Sequence, residues 1–491
     1  MRLVRSTPCP LKDSTVSDFE AIFRTPAEAR QVELTVTSGT VPADLKGTLL
    51  RNGPGVQRAG QTPLHFLDGY AFIASARFEA GRVVYSARHV DLPIARQEQA
   101  AGRLLARRVF TNRPGGRLGN ALRVKPHSSA SHDVYAWGGS VVAADLDGHH
   151  ALDPATLDTT GPAPVNRLLG GLATLSAMPR VDPFTGHLVV YTATPGVLGA
   201  DRIAIVELDA QWNERARVER SLGVKGAVPH DLTTTENHYI VVQLGMLSVP
   251  QAAAGGCTFI DAIGLQAQGA RILVIPRRGD GPLRSLPLPP GCQSFHLANA
   301  YEEDGVLVVD TALHEGLVDF SRLNPAADRQ TSTHAGRGGG GPFIARHTLR
   351  LDGGEHRVMV HRQAPGEAPS VRDDLAGRRH RFAYTSVQGS RGDEPVDNAY
   401  YWNHAVAKID CDAGATVSLW DAGPRVHVTA PQFVARGEAE DDGWVMTWTH
   451  DLATDRGELV LLDAQHLASG PMVRLALPAP LPPASHVCWA A

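Results

Sequence analysis

The sequence predicts an all-β fold, a β-propeller with long inserted loops, and three observations support this prediction. Short β-branched runs recur along the whole chain, each entered through a turn of Gly, Asp or Asn. Glycine and proline supply 49 and 34 of the 491 residues, more than the roughly 12% of an average protein, which suits many short strands joined by turns. No linker-like change of composition divides the chain, which disfavours the rival prediction of an array of sandwich domains.

The strand-forming runs lie at irregular distances of several tens of residues. Each places a turn residue before a run rich in valine, leucine, isoleucine or tyrosine, which is typical of buried strands. In chain order these segments begin at Gly81, Gly186, Asn237, Asp304, Asp442 and Gly457. Such spacing is expected of a single propeller domain over residues 1–491, with long loops inserted between its strands.

Four stretches lack a strand pattern and are predicted to be loops on one face of the propeller, where binding surfaces are usually built. They are residues 96–130, 251–256, 329–341 and 362–381. The glycine run at residues 338–341 is not followed by the Lys-Ser/Thr pair of a phosphate-binding loop, so it is not expected to hold a nucleotide.

Composition excludes several classes of protein. A net charge of −4 with 43% hydrophobic residues favours neither disorder nor a nucleic-acid-binding surface. The five cysteines are scattered without a C-x-x-C pair, which disfavours a disulfide framework or a zinc site of thiolates. Residues 1–16 lack the apolar core of a signal peptide, and no apolar run is long enough to span a membrane. We therefore expect a cytoplasmic chain, with peripheral membrane contact left open.

Three of the 21 histidines lie beside apolar strand segments: His230, His296 and His486. The inner strands of a propeller all end near its axis, so histidines distant in sequence can converge there on a metal. A lone histidine on an apolar strand is nevertheless more often a hydrogen-bonded core residue than a ligand. The residue pattern alone leaves both interpretations open.

Motifs along nearly the whole chain resemble the carotenoid cleavage oxygenase family. They lie at residues 45–55 (LKGTLLRNGPG), at 65–69 (HFLDG), around His230, at 295–302, at 440–443, at 458–464, and at His486 with Trp489. Because they follow one another in the family's order, the chain is identified as a member of that family.

The resemblance implies a seven-bladed β-propeller capped by a dome of loops and helices, with a non-haem Fe²⁺ held on the axis by four histidines. Most members use the metal and O2 to cleave a conjugated carbon–carbon double bond of a carotenoid, apocarotenoid or stilbene-like alkene. Neutral imidazoles leave coordination positions open for O2, and carboxylates behind three of the rings orient them. One branch performs isomerisation and ester cleavage instead, so the fold does not fix the reaction.

The first ligand segment departs from the family pattern. The family's Ala-His-Pro is here Ala177-Met178-Pro179, within a frame that is otherwise intact as far as Gly186. Met178 is expected to line the vacated quadrant, or to bind the metal weakly through its thioether, although divalent iron prefers nitrogen and oxygen donors. His187, in the turn that follows, is a less favoured substitute for the missing ligand.

The orienting carboxylates are altered as well. Glu367 fits one of the three, and Asp145 fits a second with a side chain shorter by one methylene. The third position is Ala430, so that carboxylate is missing, at an expected cost of roughly tenfold to a hundredfold in metal affinity. The fourth ligand segment, Gly-Phe-His-Gly in the family, is Ala-Ser-His-Val at residues 484–487.

The leading prediction is an Fe²⁺-dependent oxygenase that acts with O2 on an elongated hydrophobic alkene. The predicted metal ligands are His230, His296 and His486, and the other predicted site residues are Glu367, Asp145 and Met178. One alternative is another divalent metal such as zinc, with isomerisation, rearrangement or hydrolysis in place of oxygenation. A further alternative is a protein that shelters a polyene without turnover.

Overall fold

The last strand of the chain pairs with one of the first. In the computed structural model, residues 486–490 run antiparallel to residues 47–56, with Thr48 opposite Ala490 and Asn52 opposite His486. The structure describes residues 24–196, 198–264, 269–279, 281–316, 318, 320, 342–387, 403–423, 425–484 and 486–491. This pairing joins the two ends of the described chain in one sheet and closes a ring of sheets.

The strands, in chain order, are β1 (Ala29–Glu33), β2 (Thr35–Gly39), β3 (Gly47–Val56), β4 (Arg58–Ala59), β5 (Thr62–Pro63), β6 (Tyr70–Glu79), β7 (Arg82–His89), β8 (Asp133–Trp137), β9 (Ser140–Asp145), β10 (Gly148–Leu152), β11 (Thr159–Pro162), β12 (Thr174–Leu175), β13 (Arg180–Val181), β14 (Leu188–Thr194), β15 (Arg202–Leu208), β16 (Glu214–Ser221), β17 (Ala227–Thr234), β18 (His238–Leu247), β19 (Ile263–Gly264), β20 (Arg271–Pro276), β21 (Arg284–Pro287), β22 (Cys292–Glu303), β23 (Val306–Glu315), β24 (Phe343–Arg350), β25 (His356–Pro365), β26 (Glu367–Ser370), β27 (Phe382–Val387), β28 (Ala405–Asp410), β29 (Ala415–Asp421), β30 (Val426–Val428), β31 (Gln432–Ala435), β32 (Gly443–Asp451), β33 (Arg456–Asp463), β34 (Pro471–Ala476) and β35 (His486–Ala490). The α-helices of the described residues are α1 (Pro93–Ala101), α2 (Gly116–Asn120) and α3 (Val249–Ala254). Short 3-10 helices lie at Phe66–Asp68, Pro164–Leu168, Ile260–Ala262, Asp373–Leu375 and Leu467–Ser469.

Apart from β4 and β5, which pair only with each other, the strands of the described residues form seven antiparallel blades. Written from the axis outward, four blades are simple four- or five-stranded sheets: blade 1 is β35-β3-β6-β7-β1, blade 2 is β8-β9-β10-β11, blade 5 is β22-β23-β24-β25 and blade 6 is β26-β27-β28-β29. In blade 3, β12 and β13 both pair with the first strand of β14-β15-β16, and in blade 7, β30 and β31 both pair with the first strand of β32-β33-β34-β2. Blade 4 is β17-β18-β20-β21, with the short β19 also paired with β18. One parallel contact, Gln363 with Ala415, joins the outer edges of blades 5 and 6. The fold is thus the predicted seven-bladed propeller.

The apolar core is divided among the blade interfaces. One cluster of buried side chains fills each interface between neighbouring blades, for example Val142 with Val190 between blades 2 and 3, and Val242 with Leu307 between blades 4 and 5. A middle strand is covered on both faces, so it reads as a continuous apolar run, as in β14 and β18. Along outer strands such as β16, exposed side chains alternate with partly buried ones.

The six turn-and-strand segments are confirmed, since each enters a strand: β7, β14, β18, β23, β32 and β33. Gly186 and Gly305 take left-handed backbone angles, φ +67° and +73°, which a side chain would disfavour. The loop prediction for residues 362–381 is wrong in part, because that stretch contains β26, the inner strand of blade 6. Residues 329–341, with their glycine run, lie outside the described residues.

A dome covers one end of the ring. It is built from the connection between blades 1 and 2, which carries α1 and α2, and from α3 with the segment that follows it. Arg107 fastens the two parts, because its guanidinium donates to the carbonyls of Ala252 and Cys257 at 2.6 Å and lies over the ring of Phe259. Within the described residues, no helix has both the length and the apolar character to cross a bilayer. The cytoplasmic location stays a prediction, since residues 1–16 lie outside the described residues.

Candidate metal centre

Inner strands bring imidazole rings to the propeller axis. His230 lies on β17 of blade 4, His296 on β22 of blade 5 and His486 at the start of β35 in blade 1. Inner strands of neighbouring blades contact one another directly, β17 with β22 and β35 with β8. The structure therefore brings together the three histidines that the sequence singled out.

A fourth ring, His132, completes a closed quadrilateral. The centroid of its imidazole lies 5.1 Å from that of His230 and 5.2 Å from that of His486. The other two sides are His230 to His296, 5.8 Å, and His296 to His486, 5.0 Å. Sequence reasoning missed His132, which comes immediately before β8 of blade 2.

The backbone fixes His132 in blade 2. Its N–H donates to the carbonyl of Ala144 on β9 at 3.2 Å. Its Nε2 is buried and has no hydrogen-bond partner among the residues that the structure describes. A buried polar atom without a partner costs about 1–3 kcal/mol, so this nitrogen is suited to a ligand rather than to the protein interior.

The sequence did contain a signal for His132. The dipeptide His-Asp occurs at residues 132–133, 230–231 and 450–451. In the first two copies the aspartate accepts the next backbone N–H, that of Val134 at 2.8 Å and that of Leu232 at 2.7 Å. His132 and His230 are therefore followed by the same local hydrogen bond.

Blade 3 contributes an arginine, Arg180, that lies between Asp133 and Asp231. The Arg180 guanidinium on β13 lies 3.1 Å from the carboxylate of Asp231 and 3.8 Å from that of Asp133. Asp231 also accepts the N–H of Leu297 at 2.8 Å, which ties blade 4 to blade 5 beside His296. Charge pairing thus positions the segments that carry His132 and His230 relative to each other.

Glu367, at the start of β26, lies directly behind His296. The Nδ1 of His296 is 2.6 Å from one oxygen of this carboxylate, and the Nε2 of His314 is 2.7 Å from the other. Burial would raise the pKa of Glu367, but the charge of His296 and the hydrogen bonds from both rings outweigh it and hold the pKa well below its usual range. Glu367 therefore lies behind an axial imidazole.

Asp145, at the end of β9, lines the same cavity as the rings but is placed differently from Glu367. Its carboxylate accepts the N–H of Leu146 at 2.8 Å, and among the described residues no hydrogen bond joins it to an imidazole. Burial, reinforced by the nearby charge of Asp147, raises the pKa of Asp145 to about 7. Ala430, at the third carboxylate position, also lies on the cavity wall.

Met178 lies between β12 and β13 and is fully buried. It does not belong to the described residues that line the cavity, whereas all four axial histidines do. His187 is held elsewhere, because its Nδ1 pairs with the carboxylate of Glu207 at 2.9 Å. At the axis, the structure brings in the ring of His132 rather than either of these side chains.

Most of the axial rings are neutral near neutral pH. Burial lowers the pKa of His132 to about 3 and holds the pKa values of His230 and His486 well below their usual range. His296 differs, because the charge of Glu367 outweighs its burial and raises its pKa. A neutral imidazole offers the lone pair that a metal needs.

The cavity above the rings has a volume of about 280 Å³. Its floor carries the four histidines, and its wall is mostly apolar: Leu67, Val109, Phe110, Leu172, Leu244, Phe259, Ile260, Phe295 and Phe320. The dome supplies several of these residues, so the cavity lies between the dome and the axial end of the inner strands. An apolar pocket with a few convergent polar groups is the usual form of a small-molecule site.

The donor set fits a divalent transition metal. Imidazole nitrogens suit iron, zinc and copper, and His132, which lines the same cavity, has a buried Nε2 with no partner among the described residues. Behind the rings, Glu367 provides the kind of carboxylate partner that fixes the tautomer of a metal-binding histidine. The arrangement can thus hold a metal beside an apolar substrate.

Comparison with known proteins agrees with this architecture. The family model of retinal pigment epithelial membrane protein matches residues 22–491. The apocarotenoid-15,15'-oxygenase of Synechocystis sp. is 30% identical over 488 residues, covering 92% of each chain. The isoeugenol monooxygenase of Pseudomonas putida is 27% identical, covering 95% of this chain and 96% of that enzyme. A crystal structure of cobalt-substituted Synechocystis ACO superposes with a TM-score of 0.85 at 26% identity, over 97% of this chain and 99% of that one.

Proposed function

The chain belongs to the retinal pigment epithelial membrane protein family, that of the carotenoid cleavage oxygenases, and from this premise we propose that it is an Fe²⁺-dependent oxygenase that cleaves a conjugated carbon–carbon double bond with O2. The observation that carries the proposal is the convergence of axial imidazoles on the floor of an apolar cavity. Relatives named as oxygenases of apocarotenoids and isoeugenol support the same reaction class.

His230, His296 and His486 would hold the metal. Bound Fe²⁺ supplies the site at which O2 is activated. The Glu367 carboxylate accepts a hydrogen bond from the Nδ1–H of His296, which leaves the Nε2 lone pair of that ring free for the metal. Burial keeps His230 and His486 neutral, so neither ring has to lose a proton before it can bind.

The cavity wall selects the substrate by its apolar character. Phenylalanine and aliphatic side chains make up much of the wall around the space above the rings. A flat, elongated alkene would pack against this wall with its double bond near the metal. An apocarotenoid, a carotenoid or a stilbene-like compound meets these requirements, and relatives named for apocarotenoid and lignostilbene cleavage fit them.

Peripheral membrane contact is proposed for the dome. Leu118 and Leu122, next to the cavity-lining segment of the dome, are 93% and 84% exposed, and Leu198 in blade 3 is 98% exposed. Exposed leucines of this kind favour contact with a lipid surface, in which apolar substrates dissolve.

The decisive experiment couples metal analysis to oxygen uptake. The purified chain is analysed for iron and zinc, and is then supplied with apocarotenoids, carotenoids, stilbenoids and isoeugenol, in detergent micelles and in liposomes. We expect stoichiometric iron, O2 consumption that a chelator abolishes, and aldehyde products from one of these classes. Co-sedimentation with the liposomes is expected from the exposed leucines.

Two results would contradict the proposal. Stoichiometric zinc with isomerised or hydrolysed product, unaffected by removal of O2, would make the chain a non-oxygenase. Tight binding of a polyene without turnover, in a chain that holds no metal after reconstitution, would make it a binding protein.

A further inference from the structure

Sequence motifs identify three of the axial histidines, His230, His296 and His486. The fourth axial ring, His132, has no assigned role. The Nε2 of His132 has no hydrogen-bond partner among the described residues. The ring is about equally far from His486 and His230, at centroid distances of 5.2 and 5.1 Å. His404 and His450 also keep one buried ring nitrogen unpaired, but each pairs the other nitrogen with an aspartate and neither lines the cavity. His132 is distinguished by its place among the axial rings on the cavity floor.

Blade 3, which lies between blades 2 and 4, offers no ring at this point. Met178 interrupts its inner strand between β12 and β13, and it is absent from the described lining of the cavity. Two residues further on, Arg180 binds Asp231 and approaches Asp133, the residues that directly follow His230 and His132. Blade 3 therefore holds the segments of His132 and His230 in place, and among its described residues it supplies no metal-binding side chain of its own at this point.

We propose that His132 is the fourth metal ligand of this centre, so that blade 2 supplies the imidazole that blade 3 lacks. The proposal rests on the proposed function, since it assigns a ligand to the same metal. The ligand set is then His132, His230, His296 and His486, from blades 2, 4, 5 and 1. Asp133 and Asp231, which directly follow His132 and His230, each accept the next backbone N–H, so two of these rings have the same local support.

A three-histidine site leaves two features of His132 unexplained: its unpaired Nε2 and the place of its ring in the quadrilateral. The four-histidine assignment accounts for both. With only three ligands, the Nε2 of His132 would stay buried and unpaired beside the metal, at a cost of about 1–3 kcal/mol. With four, every ring of the quadrilateral has a role. Met178 becomes a packing residue, and its thioether is not a ligand.

The test compares His132→Ala and His132→Gln with Met178→Leu as the matched control. Each chain is stripped of metal and titrated with Co²⁺, and the affinity and the visible absorption spectrum of the bound ion are recorded. We expect both His132 variants to lose more than the roughly tenfold to hundredfold affinity that an outer carboxylate is worth, and to show a changed spectrum. Met178→Leu is expected to keep the affinity and spectrum of the unmodified chain.

Melting temperatures of the metal-free forms separate loss of a ligand from loss of the fold. His132→Gln keeps a polar group in the buried position, so it remains informative if the alanine variant does not fold. Unchanged Co²⁺ affinity and spectrum in a folded His132 variant would overturn the proposal, and so would an equal loss in Met178→Leu. If the unmodified chain binds no Co²⁺ or Fe²⁺ at all, the proposed function itself fails, which is a different result.

Discussion

Glu367 is the residue on which the orientation of the centre depends most. Its two carboxylate oxygens are shared between His296 and His314, at 2.6 and 2.7 Å, so one side chain fixes a ring at the axis and anchors itself to a neighbouring strand. Asp145 lines the same cavity, but within the described chain its carboxylate bonds to backbone groups, those of Leu146 and Ser129, and to no imidazole. The two acids therefore differ in what their removal should do.

Glu367→Gln is expected to weaken metal binding by roughly tenfold to a hundredfold, because the neutral amide is a poorer acceptor for His296. Asp145→Asn is the matched control, and its metal affinity should stay within about threefold of the unmodified chain. Titration of the metal-free proteins with Fe²⁺ under anaerobic conditions measures both. If Asp145→Asn weakens binding as strongly as Glu367→Gln, Asp145 orients a ring in the metal-bound state.

At the residue level, the sequence singles out residues that a motif surrounds. His230, His296, His486 and Glu367 were found by their neighbours in sequence, and the structure brings all of them to one site. His132 was missed because it lies 46 positions before Met178, and only the placement of neighbouring blades shows that its ring reaches the axis. The repeated His-Asp dipeptide was a visible clue, but the dipeptide alone has no fixed meaning.

At the level of elements, a buried ion pair joins two strands of blade 5 and extends to blade 6. Asp310 on β23 is fully buried and receives the Arg346 guanidinium from β24 at 2.9 and 2.8 Å. Arg346 also reaches Asp412, in the loop that follows β28 of blade 6, at 2.8 Å. Burial would raise the pKa of Asp310, but the hydrogen bonds and charge of Arg346 prevail and lower it to about 2.

Asp310→Asn is expected to destabilise the propeller by about 3 kcal/mol or more, because it leaves a buried guanidinium without its main partner. Since the pKa of Asp310 is lower in the folded chain than in the unfolded chain, its contribution is present above about pH 4 and is lost as the pH falls towards 2. The variant should therefore lose less stability than the unmodified chain over that acid range. Urea unfolding between pH 7 and pH 2.5 measures both effects.

Asp352→Asn serves as the control for this experiment. Asp352 pairs with Arg350 at the surface, where the two side chains are 60% and 65% exposed. Such a pair contributes at most about 1 kcal/mol. A loss at Asp352 equal to that at Asp310 would contradict the role assigned to burial.

Element prediction failed where the strand itself is unusual. Middle strands are apolar on both faces, and the sequence identified them, whereas β26 has the sequence Glu-Ala-Pro-Ser. As the inner edge of its blade it pairs on one side only, with β27, so Pro369 is tolerated there. The inner strands β17 and β26 both contain a proline among polar residues, and for that reason their sequences lack the usual strand pattern.

For the whole molecule, closure of the ring is what assembles the centre. β35 from the end of the chain completes blade 1, while β2 from near its start completes blade 7. The same closure brings His486 beside His132, residues that are more than 350 positions apart. The number of blades followed from resemblance rather than from the turn pattern, because turns predict strands without predicting how many strands share a blade.

The central claim is that four imidazoles from four blades bind one metal beneath an apolar cavity. The most direct measurement is anomalous diffraction at the iron edge from crystals of the iron-loaded chain. We predict a single peak on the axis, about 2.1 Å from the nearest nitrogen of His132, His230, His296 and His486, the usual length of a metal–imidazole bond. A peak bonded to the sulfur of Met178, a peak beyond the reach of His132, or no peak in iron-loaded crystals would contradict the account.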